Sequence, residues 1–117
     1  MINLPIPSLG LAWIFLAIAI VFEVVGTTHM KLSQGLSNGK ATIIMFACYA
    51  VAFSFNAMAV RKLDLSVTYA IWSGVGTAAT AMIGFLYFKE PASALRVSGI
   101  LLIIAGVMAL HFSVPSQ

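Results

Sequence analysis

Polar residues along this chain are confined to short punctuating stretches, and long apolar segments run between them. The first segment, 11–30, closes at Lys31 and the polar stretch 33–40. The second, 41–60, ends at Arg61-Lys62-Leu63-Asp64. The third, 66–88, stops at Lys89-Glu90-Pro91, where proline ends a helical pattern. The fourth covers 95–114 and leaves Pro115-Ser116-Gln117 as a tail. A helix that crosses a bilayer needs about 20 mostly apolar residues, and each segment supplies them. The pattern predicts an all-α integral membrane protein with four transmembrane helices in a single domain over 1–117. Loops of a few residues force each helix to run antiparallel to the next.

Composition narrows the class further. Of 117 residues, 62% are hydrophobic and 8% charged, and mean hydropathy is +1.07. Soluble domains carry roughly 25% charged residues, and a small soluble fold leaves too much surface exposed to hide this much apolar side chain. The net charge of +3 is too small and scattered for a nucleic-acid footprint. Residues 1–8 carry no Lys or Arg, so no cleavable leader is expected. The lone Cys48 reads as a small residue packed in a helix.

Four spans put Arg61 and Lys62 on one side, and Lys31, Lys40, Lys89 and Arg96 on the other. The excess favours the first and third loops facing the cytoplasm, by a margin small enough that insertion in both orientations stays open.

Glu23 interrupts the first apolar segment near its middle. A lone charged carboxylate at that depth costs several kcal/mol, so such a group is usually paired with a cation, protonated, or cycling between the two. At 100° per residue, Leu16, Ala19, Ile20, Gly26, Thr27 and Met30 lie within about 60° of it. On the third helix Tyr69, Trp72, Ser73, Gly76 and Thr80 form a second stripe by the same arithmetic. Aromatic faces attract organic cations by roughly 0.5–2 kcal/mol, and Tyr69 carries a hydroxyl able to donate to an ionised acid. Tyr49, Ala52, Phe53 and Asn56 form a third stripe that walls the same space, although Asn56 reads better as a contact between helices. His29 and His111 read as interfacial residues rather than proton relays. No metal-ligand cluster, nucleophile beside a base, or phosphate-binding loop is visible, so neither a cofactor nor an enzymatic reaction is expected.

A thin bundle of four helices has little room for a pathway inside one copy, which points to an oligomer with the cavity between subunits. Helix 4 suits such pairing through Gly99, Ala105 and Gly106, since small residues let helices approach closely in lipid.

The segment Glu23-Val-Val-Gly-Thr-Thr-His-Met-Lys31, with Tyr69-Ala-Ile-Trp-Ser-Gly-Val-Gly76 downstream, resembles the small multidrug resistance family of transporters. The resemblance covers essentially the whole chain. It implies an antiparallel, dual-topology homodimer in the bacterial inner membrane, exchanging protons for small organic cations by alternating access. It implies that Glu23 of both copies binds protons or substrate and that Tyr69 and Trp72 line the site. Residues 74–76, with Gly74 and Gly76, resemble the place where the third helix bends. Gly26 and Thr27 resemble the multidrug subtype, which exports quaternary ammonium compounds, and a small residue at Gly26 is expected to leave room for a large ligand. Lys89-Glu90-Pro91 resembles the guanidinium-exporting subtype, and Ala52 departs from the serine common to both. The expected function is proton-coupled drug efflux of hydrophobic or substituted cations. A paired heterodimeric exporter, or export of guanidinium or another metabolite, stays open.

Overall fold

Three of the four helices begin where a short polar side chain can accept a hydrogen bond from the otherwise unpartnered amides of a first turn. In the computed structural model, which describes residues 5–115, Ser8 accepts from the amide of Leu11, Asn38 from Ala41 and Ser93 from Arg96, each at 3.2 Å. The helices are α1 (Leu9–Leu32), α2 (Gly39–Ala59), α3 (Leu65–Leu86) and α4 (Ala94–Ser113). All four are long and apolar enough to cross a membrane, and no strand occurs among the described residues. The first four residues of the uncharged N-terminal stretch and the last two of the tail lie outside those described.

Between α1 and α2 the chain reverses through three successive left-handed residues, Gln34, Gly35 and Leu36. The buried Ser33 anchors this turn. Its hydroxyl donates to the Met30 carbonyl at 2.7 Å and accepts from the Leu36 amide at 3.2 Å. The third helix ends at Leu86, two residues before the apolar run does, because the chain then folds back: the amides of Phe88 and Glu90 reach the carbonyls of Ile83 and Gly84.

The helices do not close into a bundle. α1 packs against α2 and α3, while α4 packs on α3 and meets α1 through the rings of His111 and Trp13, 4.7 Å apart. The Cα envelope measures 42 × 37 × 16 Å, a slab far wider than it is thick. A small core forms at the end bearing the α2–α3 loop, from Ala12, Leu16, Ala59, Leu63, Val67 and Ile71. α4 has no buried residue at all. Its contact with α3 is set by Gly74, where an added Cβ would meet Val107 at 2.5 Å and Ile103 at 3.3 Å. α3 runs as one continuous helix through Gly74 and Gly76.

Candidate functional site

Glu23 sits midway along α1, and its two carboxylate oxygens meet different surroundings. Oε1 accepts a hydrogen bond from the hydroxyl of Thr27, one turn further on, at 2.9 Å. Thr27 is itself 2.8 Å from the phenol oxygen of Tyr49 on α2. With the threonine proton committed to the carboxylate, Tyr49 is the donor in that second bond. Oε2 is buried and has no hydrogen-bond partner. It faces α3 at Gly76, where a Cβ would lie only 2.6 Å from it. Gly76 thus makes room for the carboxylate between the helices.

A buried carboxylate oxygen without a donor is expensive in an apolar medium. A donor or a positive charge reaching Oε2 would relieve that cost. No metal-binding cluster of His, Cys, Asp and Glu occurs among the described residues.

Gly26 is also buried, but the space beside it is filled within the subunit. A Cβ there would meet Cδ1 and Cε1 of Tyr49 at 2.9 Å. The room expected for a large ligand is taken by the tyrosine ring, and this brings the Tyr49 hydroxyl to Thr27.

Tyr49 is also the first of a run of aromatic rings. Phe53 lies 6.5 Å from Tyr49, Trp72 lies 5.5 Å from Phe53, and Tyr69 lies 5.7 Å from Trp72, measured between centroids. Tyr69 is 61% exposed and makes no hydrogen bond to Glu23; its ring instead borders a cavity of about 210 Å³ with Phe53, Asn56, Thr68 and Trp72. Asn56 Oδ1, Thr68 Oγ1 and Trp72 Nε1 are buried there without partners. Thr68 does not stand out in the sequence, although a hydroxyl one turn before Trp72 is its signal. Ser73 is exposed and donates to the carbonyl of Ala70 on its own helix at 3.4 Å. Ala52 and Cys48 are buried in α2. His29 Nδ1 lies 2.9 Å from the Val25 carbonyl, turned back along α1. Gly99 and Gly106 have nothing within 4 Å of an added Cβ, and Ala105 is exposed beside them. That strip of α4 is uncovered in the subunit. Within one copy, then, Glu23, Thr27, Tyr49, Gly26 and Gly76 form one constellation, while Tyr69 and Trp72 form a second.

The small multidrug resistance protein family matches residues 11–103, which include both constellations. The chain belongs to the small multidrug resistance family. Multidrug resistance protein EbrB of Bacillus atrophaeus is 46% identical over 100 residues, covering 86% of each chain. EbrA of the same organism is 41% identical over 100 residues, covering 86% of this chain and 95% of its own. Multidrug resistance protein mmr of Mycobacterium leprae is 39% identical over 104 residues, covering 88% and 97%. As a member of this family with four membrane-spanning helices, the chain is a multi-pass protein of the bacterial inner membrane and a transporter rather than an enzyme.

Proposed function

We propose that this small multidrug resistance protein exports hydrophobic or substituted organic cations, quaternary ammonium and substituted guanidinium compounds among them, in exchange for protons. The carrying observation is the unpartnered Oε2 of Glu23, buried against Gly76 while Thr27 fixes Oε1. A proton on that oxygen and a cation beside it each neutralise the carboxylate, and the two cannot occupy it at once. Proton and cation therefore compete for the same oxygen. If only loaded states change their exposure between the two sides of the membrane, the proton gradient drives the cation outward. The run from Tyr49 through Phe53 and Trp72 to Tyr69 supplies aromatic faces for greasy or planar cations. The uncovered small residues of α4 support a homodimer as the working unit.

The deciding experiment is proton-driven uptake into liposomes that contain only this chain, with guanidinium, phenylguanidinium and a bulky quaternary cation as probes. Transport of the substituted cations that disappears in Glu23→Gln is the expected result. Transport retained by Glu23→Gln ends the proposal.

A second reading is favoured by one finding: both an A and a B protein of one organism are similar to this chain. The chain then works with a sister subunit, and the same liposomes stay silent until that subunit is added.

A further inference from the structure

At the end of α1 away from the core, a second carboxylate is held in place by features of its own. After α3 the chain turns through Lys89, whose φ of 59° lies in the left-handed region that non-glycine residues seldom occupy. The Glu90 amide then bonds to the Gly84 carbonyl at 2.9 Å. The Glu90 carboxylate lies against Gly84 itself, in the space a Cβ would fill. Lys31, at the end of α1, brings its ammonium to 3.6 Å from Glu90 Oε2 and 5.9 Å from the centroid of Phe88. One ammonium is thus bound by one carboxylate and one aromatic face, a combination suited to an organic cation. These groups rim a cavity of about 310 Å³ that Thr28 and Thr80 also line, and whose wall includes Thr27, the residue that holds Glu23. The cavity thus runs from the Lys31–Glu90 pair to Thr27, one hydrogen bond short of the buried carboxylate.

We propose that Glu90 and Phe88 form an outer site for organic cations, in which Lys31 is a tethered occupant that the arriving cation displaces before passing Thr80 and Thr27 to Glu23. The inference rests on the cation-transport reading above. Both members of the pair are well exposed, with side-chain accessibilities of 61% and 42%. Exposed pairs of this kind are weak, so the lysine ammonium is exchanged readily and contributes little to the fold. Lys31 is therefore an internal competitor, and Glu90 is a ligand for both cations.

The test is calorimetric binding of phenylguanidinium to the purified full-length protein in detergent. Glu90→Gln is expected to weaken binding roughly two- to fivefold, the scale of an exposed charge pair. Lys31→Met is expected to tighten it by a similar factor, because the competitor is gone; Lys31→Gln repeats the neutralisation with a different side chain. In the Glu90→Gln background, Lys31→Met has no further effect. Lys40→Met makes the same change of charge at the same end of the helices and leaves affinity unchanged. A purely structural ion pair would move both single variants in one direction. A simple field effect would make Lys40→Met match Lys31→Met and would make the double variant additive. Either outcome overturns the outer site, as does no shift in any variant. Glu23→Gln in the same series reports separately on the main site: weaker residual binding at the outer site is expected to survive it, and an affinity left unchanged by Glu23→Gln sinks the exchange reading, whatever the Glu90 and Lys31 variants do.

Discussion

Thr27 holds one oxygen of Glu23 while nothing holds the other, and this asymmetry sets what each substitution does. Thr27→Val keeps the shape of the side chain but removes the donor to Oε1 and leaves the Tyr49 hydroxyl without its acceptor. A hydrogen bond to a charged group contributes about 1.5–3 kcal/mol, and a freed carboxylate can recover part of that by turning. Loss of about 1–1.5 kcal/mol, or five- to tenfold in cation affinity, is expected from calorimetry. Tyr49→Phe keeps the ring over Gly26 and removes only the outer hydroxyl, so its loss is expected to be about threefold or less. A larger effect for Tyr49→Phe than for Thr27→Val would mean that the hydroxyl acts on the cation directly. Glu23 was legible in the sequence because a carboxylate inside an apolar run has few structural uses. Thr27 was legible because residues four apart share a helix face. The bond from Tyr49 was not, since helical arithmetic says nothing about how two helices are rotated against each other.

At the scale of helices, glycines decide which pairs come close. The Cβ of Gly26→Ala would press on the Tyr49 ring at 2.9 Å. The ring must shift or α1 and α2 must part, at a cost of about 1–3 kcal/mol. Thermal unfolding in detergent is expected to show that loss, together with weaker cation binding as Tyr49 leaves Thr27. Gly76→Ala differs in kind: its Cβ would press on the carboxylate itself at 2.6 Å. Stability is expected to change less than with Gly26→Ala, because Glu23 can swing away, while cation binding falls at least tenfold. Equal effects of the two substitutions on stability and binding would refute this division of roles. The spans were readable from apolar length alone. The spatial order was not: each helix is apolar on several sides, so no single stripe reveals which neighbour it meets. The close approach at Gly74, which seats α4 on α3, is a case of this.

A slab 16 Å thick with an unburied fourth helix leaves a wide apolar surface with only lipid or another protein to cover it. Lipid alone would serve, because hydrocarbon tails are as apolar as leucine. The case for a second copy rests on α4 pairing large exposed side chains such as Leu102 and Phe112 with bare Gly99 and Gly106. Small residues that meet nothing within the subunit offer close backbone approach to something outside it. The double substitution Gly99→Leu with Gly106→Leu therefore separates subunit from assembly. Nothing within 4 Å of either position resists a larger side chain, so helical content by circular dichroism is expected to match the parent protein. Crosslinking in liposomes is expected to shift from dimer to monomer, and cation uptake is expected to fall with it, because one slab cannot shield a pathway from lipid on both faces. Uptake that persists in a crosslink-free monomer would place the whole pathway within one slab and remove the reason for α4 to stand bare.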